Sequence, residues 1–166
     1  IAYGHENGNW FYKIDEGTQA DLNDYQNMLS WIASNNMASA SNYQKACEML
    51  DTDNFIKYIA VNVYANNRDW PHNNVRAWKY TGTANSKYGQ DGKWRFILKD
   101  IDYSWGIINS PGATENVIAE ETSHSENVLR GGAGEISAAF ASLMRNAQFK
   151  EAFLDFMDEM INNYFS

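Results

Sequence analysis

The segment from Asn54 to Asn66 constrains this chain most. Phe55, Ile56, Ile59, Ala60, Val61, Val63 and Tyr64 place apolar side chains around nearly the whole circumference of a helix. Such a helix needs cover on most of its sides, so it is expected at the centre of the fold. Either Asp51 or Asp53 can cap its start by accepting orphan backbone N–H bonds. Asn62 lies inside the helix and must find hydrogen-bond partners there, so it either caps a neighbouring segment or faces a cavity.

The elements around this helix follow from spacing. Leu22, Tyr25, Met28, Leu29 and Ile32 predict an amphipathic helix from Asp21 to about Ser34, stopped by Asn35 and Asn36. A second helix is expected from Ser41 to Leu50. Ahead of both, Trp10, Phe11 and Tyr12 followed by Asp15, Glu16 and Gly17 predict one short strand and a turn within residues 1–19. Pro71 ends the central helix region, because it lacks an N–H and the residue before it avoids the α region. Val75 to Tyr80 and Trp94 to Lys99 alternate as half-buried strands, and Gly82, Gly89 and Gly92 lie between them, which predicts an antiparallel hairpin. Residues 103–134 hold Gly106, Pro111, Gly112 and the glycines at 131, 132 and 134, the composition of a long irregular loop. Two closing helices are expected, Glu135 to Arg145 and Gln148 to Tyr164. The stripe of Phe149, Phe153, Phe156, Met160 and Tyr164 on the second is expected in the core. The sum is one α+β domain, mainly helical, over residues 1–166.

Composition sets the outer limits. With 166 residues, 44% hydrophobic and 20% charged, the chain is ordered and large enough for its own core. A formal charge of -8 repels phosphate backbones and anionic lipid unless positive charge is gathered in one patch, and the sequence shows no such patch. Nucleic acid is therefore not an expected partner. No apolar run approaches the roughly 18–20 residues that span a bilayer, so no membrane is expected either. The single cysteine, Cys47, forms no disulfide within the chain and is expected to be a small buried hydrophobe. His5 and His124 have no metal-ligand spacing. The opening IleAlaTyrGlyHisGluAsn is neither an initiator Met nor a signal peptide, which suggests a piece of a longer protein. An aromatic content of 14% and abundant Asn point faintly to sugar-handling extracellular proteins.

The expected hairpin carries the main functional argument. In antiparallel pairing the start of the first strand and the end of the second share an edge, so Asn73 and Asn74 should sit beside Asp100 and Asp102. The loop with Asp69 enters the same edge. Asp69, His72, Asn73, Asn74, Asp100 and Asp102 are thus expected in one polar cluster. Carboxylates with amide oxygens suit Mg²⁺ or Mn²⁺, particularly when phosphate oxygens complete the ligand set. A carboxylate left off the metal can act as a base toward a hydroxyl. The plainer alternatives are a turn or cap for the AspIleAsp triplet, strand termination for the Asn pair, a local hydrogen bond for His72, and packing for Trp70, Pro71 and Trp105.

The stretches Asp53 to Trp78 and Asp91 to Gly106, with the closing Asn146 to Phe153, resemble the CotH kinase family of bacterial proteins. The resemblance covers roughly residues 50–165. It implies an atypical protein-kinase-like fold, of which this chain resembles the C-terminal lobe, and transfer of the ATP γ-phosphoryl group to protein Ser/Thr hydroxyls. It implies Mg²⁺ or Mn²⁺ and ATP as cofactors. The partners implied are protein substrates or cellulosomal components, in a secreted or spore-coat setting. By the same resemblance Asp69 accepts or orients the substrate hydroxyl proton, Asn74 ligates metal, and Asp100 or Asp102 takes the role of the second metal-binding aspartate. Asn67-Arg68 stands where kinases have HisArg, and Ile101-Asp102 where they have PheGly. The 19 residues before the first helix are too few for a nucleotide-clamping lobe, Lys13 reads as structural, and the isolated chain is expected to be inactive. Two other functions stay open: a carbohydrate-binding or assembly module of an extracellular polysaccharide-degrading complex, and a glycosyl transfer domain using the AspIleAsp triplet as its metal motif.

Overall fold

The computed structural model describes residues 1–6, 9–106 and 134–164. His124 and most of the expected loop 103–134 lie outside these residues, as does the side chain of His5. Strand β1 (Ala2–Glu6) pairs antiparallel with β2 (Asn9–Lys13), and β1 also pairs antiparallel with β3 (Val75–Trp78). Strand β4 (Arg95–Phe96) adds antiparallel to β3, which gives a four-stranded sheet in the order β2-β1-β3-β4. The first 19 residues thus hold two strands rather than the expected one. AlaTyrGlyHisGlu carries little local strand signal, and its pairing with β3 joins segments far apart in sequence.

Five helices are present among the described residues: α1 (Gln19–Ser34), α2 (Ala40–Met49), α3 (Thr52–Tyr64), α4 (Gly134–Leu143) and α5 (Ala147–Glu159). Helix α1 starts earlier than its apolar spacing suggests, because Thr18 and Asp21 form a capping box. Asp21 Oδ2 accepts from the Thr18 backbone N–H at 2.7 Å. Asp51, not Asp53, caps α3 and accepts from the Asn54 N–H at 3.0 Å.

Helix α3 is the central one. Phe55, Tyr58, Ile59, Ala60 and Val63 are buried, and the helix packs against α5 and β4. Phe149 and Phe153 of α5 are fully buried, and Met160, in a π-helical turn continuing α5, is also buried. The expected stripe stops there: Phe156 is half-buried and Tyr164 is 67% exposed, because the π-turn shifts the helical phase before Tyr164. Cys47 is also less buried than expected, at intermediate exposure with its Sγ 3.9 Å from Thr52 Oγ1.

Two side chains lock the hairpin onto α3. Asn54 acts as a substitute strand: its Nδ2 donates to Phe96 O at 3.1 Å and its Oδ1 accepts from the Phe96 N–H at 2.7 Å. Asn54→Leu leaves both Phe96 backbone groups without partners. Each such group costs about 1–3 kcal/mol, so urea unfolding should show a loss of about 2–6 kcal/mol with an unchanged m-value.

The second lock is Arg95, whose side chain is 2% exposed. Its Nη1 and Nη2 donate to the two Asp91 carboxylate oxygens at 2.8 Å each, and its Nε lies 2.8 Å from Asp51 Oδ2. Its guanidinium also sits over the Trp78 and Tyr88 rings, 5.7 and 4.9 Å from their centroids. One cation therefore joins β4, the loop at Asp91 and the N-cap of α3.

The bidentate bonds from Arg95 hold the Asp91 carboxyl down at about 2, against an ordinary 3.8. A depressed folded value means that the unfolded chain binds the proton first. This contribution to stability is full above about pH 4 and is lost as pH falls toward 2. Urea midpoints measured across that range should fall more steeply for the native chain than for Asp91→Asn, which has no proton to take up there.

Candidate functional site

The site begins where α3 ends. Asn62 is 1% exposed and caps the following turn, the first of its two expected roles. Its Nδ2 donates to Tyr58 O at 2.9 Å, and its Oδ1 accepts from Asn67 Nδ2 at 2.9 Å. Asn67 in turn accepts from the Asp69 backbone N–H at 3.2 Å, and its Nδ2 lies 3.5 Å from Asp100 O. This buried amide pair ties the Asp69 turn to the helix and links it to the Asp100 backbone. Sequence reasoning missed Asn67, since nothing local marks it apart from the other asparagines. Trp70 is 2% exposed and donates from Nε1 to Tyr58 Oη at 2.7 Å, so it and the buried Pro71 pack beneath the turn. The Trp70–Pro71 peptide is cis.

Asp69 is held from the chain that follows it. Its Oδ2 accepts from Asn73 Nδ2 at 2.9 Å and from Asn74 Nδ2 at 2.7 Å. His72 Nε2 stands 3.7 Å from Asp69 Oδ1, an electrostatic contact longer than a hydrogen bond. The amide of Asn74 thereby spends a donor on Asp69 and keeps its Oδ1 as an oxygen donor for a ligand.

Asp100 and Asp102 arrive from the other side of the hairpin. The β3–β4 register pairs Ala77 with Phe96, and the strands run from there toward Asn74 on one side and Asp100 on the other. Beyond β4, the Arg68 N–H donates to Tyr103 O at 2.9 Å and the Trp105 N–H to Ala65 O at 2.8 Å, which fastens this segment to the Asp69 turn. Asn74 and Asp100 both have left-handed backbones, with φ of 57° and 55°, a region that Asn and Asp tolerate better than other side chains with a Cβ. Trp105 also has φ of 53° and is 62% exposed, so it does not pack around the site as expected.

The Asp100 carboxyl is pushed above its ordinary value, first by a side-chain hydrogen bond with Asp102, then by the Asp102 charge, with Asp69 adding repulsion. The six expected residues thus form two groups. Asp69 stands with His72, Asn73 and Asn74, Asp100 stands with Asp102, and Asn67 bridges the groups.

Among the described residues no three His, Cys, Asp or Glu side chains converge as a metal site. The donors on offer are the Asp100 and Asp102 carboxylates of one group and Asn74 Oδ1 of the other, all hard oxygen. Such a set fits Mg²⁺, which uses few protein ligands and completes its octahedron with water and substrate phosphate oxygens. It does not fit a closed metal cage made by the chain alone.

Asp69 is held by an asparagine five residues on, and the β3–β4 hairpin follows before Asp100 and Asp102. A family model described as CotH kinase protein matches residues 4–166, and the chain belongs to the CotH kinase family. Comparisons with curated proteins and with solved structures give no match.

Proposed function

We propose that this chain carries the catalytic residues of an atypical protein kinase that transfers the γ-phosphoryl group of ATP to a protein Ser/Thr hydroxyl. The observation that carries the reading is the clasp on Asp69, in which two asparagine amides fix one carboxylate oxygen. With Oδ2 so held, Oδ1, 3.7 Å from His72 Nε2, is the oxygen that would take the acceptor hydroxyl proton as the hydroxyl oxygen attacks phosphorus. Asn74 Oδ1, Asp100 and Asp102 are the groups that would hold Mg²⁺ or Mn²⁺. When bound, the metal supplies charge neutralisation on the phosphate oxygens. The chain's own work would be positioning: Asn67 and Asn62 fix the turn that presents Asp69, and Asn67 Nδ2 lies 3.5 Å from the Asp100 carbonyl.

The test, run on the full-length protein because the isolated chain is expected to be inactive, is transfer of label from γ-labelled ATP to a Ser/Thr-rich protein in the presence of Mg²⁺ or Mn²⁺. Label stable to acid is expected on Ser or Thr, and Asp100→Asn should lower the rate at least about tenfold by weakening metal and phosphate binding. Transfer by Asp100→Asn at the native rate overturns the assignment.

A further inference from the structure

The sheet gathers positive charge that the sequence leaves dispersed. A groove of ≈ 290 Å³ opens between β1, β2 and the start of β3, and Lys13, Asn73, Asn74, Arg76 and Lys99 line it. No Asp or Glu is among its lining residues. Three cations from distant parts of a chain with a formal charge of -8 therefore face one cleft. Asp15 pairs with Arg76 and lies 3.8 Å from Lys13 Nζ, so it orients two of these cations and leaves the cleft net positive.

The wall of the groove is shaped for an amide. A Cβ built on Gly4 would stand 2.7 Å from Asn73 Oδ1, so only glycine in β1 lets Asn73 lie where it does. A planar guanidinium and two ammonium groups around a cleft of this size are the chemistry that recognises phosphate.

We propose that this groove is a metal-independent subsite for a phosphate-bearing ligand, with Lys13, Arg76 and Lys99 as its cations. The proposal rests on the phosphotransfer reading only in that Asn74 belongs to both the groove and the carboxylate site. Lys13 then has a ligand-directed role in place of the structural one expected from its position, and the β1–β2 hairpin supplies part of the binding surface.

The test is calorimetric titration of the whole chain with tripolyphosphate in the presence of EDTA. The native chain should bind, and the double variant Lys13→Gln/Lys99→Gln should bind at least about tenfold more weakly. Lys87→Gln, an exposed lysine outside the groove, should bind as the native chain does. Both groove lysines are exposed, so unfolding midpoints should match across the set. Absence of binding by the native chain, equal binding by the double variant, or an equal loss in Lys87→Gln each overturns the proposal.

Competition by ATP and by AMP then identifies the source of the phosphate. Displacement by ATP but not AMP supports the nucleotide polyphosphate as the ligand. If ATP fails to displace a tripolyphosphate that the lysine variant no longer holds, the subsite stands and the ATP reading falls. Absence of phosphoryl transfer by the full-length native protein, with tripolyphosphate binding intact, likewise overturns the kinase reading alone.

Discussion

Replacing Asp69 with Asn is expected to slow phosphoryl transfer by about 10²–10⁴-fold, the usual contribution of a positioned general base. The substitution is nearly isosteric. The carbonyl oxygen of the new amide can still accept from Asn73 and Asn74, which in the native chain donate at 2.9 and 2.7 Å to Asp69 Oδ2. What it cannot do is take a proton from an incoming hydroxyl. The Asp69 side chain is also 28% exposed, so its loss leaves no deeply buried charge uncompensated. The unfolding midpoint should therefore stay near native while kcat falls and KM for ATP changes little. Single-turnover transfer from γ-labelled ATP by the full-length protein, measured beside thermal unfolding, separates these outcomes. A kcat within a factor of about three of native removes Asp69 from the chemistry, and a collapsed midpoint would make it a structural residue instead.

Arg95→Met is expected to produce the largest loss of stability, about 3 kcal/mol. Removing one member of a buried ion pair usually costs 3–5 kcal/mol because the partners keep their charge without compensation. The value should lie at the lower end, since Asp51 and Asp91 are 14% and 30% exposed and water can reach them. For a domain of this size that corresponds to a fall of roughly 6–12 °C in the unfolding midpoint. The loss is shared among three elements. Asp51 still accepts from Asn54 but loses its cation, the loop at Asp91 loses its bidentate anchor, and the Trp78 and Tyr88 faces lose the guanidinium. Adding Asp91→Asn to Arg95→Met should recover part of the loss by deleting one stranded charge. A double variant as unstable as the sum of two independent losses would refute this account of Arg95. Because Asn54 also holds β4 to α3, the Arg95 variant should keep the Asp100 segment near its place at low temperature and lose transfer activity together with stability on warming.

The central helix was legible because its apolar residues recur at local spacings, and a helix apolar on every side has few possible places in a fold. The β3–β4 hairpin was legible for a similar reason. Antiparallel pairing turns distance along the chain into proximity, which is why β3 and β4 could be paired from the sequence, whereas Asn73 and Asn74 turn to Asp69 and Asp100 to Asp102. Asn62 was recognised as needing partners, though not which ones. The strand ends were less accurate. Val75 to Tyr80 shortens to Val75–Trp78, and Trp94 to Lys99 shortens to Arg95–Phe96. The reason is that Trp94 bridges to Leu50, and its N–H goes to Met49 O.

Local spacing alone therefore determined the helical, α+β character, the position of α3, and the chain order of Asp69, Asn74 and Asp100. Tertiary structure decided the pairing of β1 with β3, the burial of Arg95 between Asp51 and Asp91, the Asn67 bridge from Asp69 to Asp100, and the gathering of Lys13, Arg76 and Lys99 on one groove. Periodicity records which face of its own element a side chain occupies. It holds no information about which distant element will come to cover that face, and a polar group finds its partner, or a cation its companions, only when the sheet and helices close.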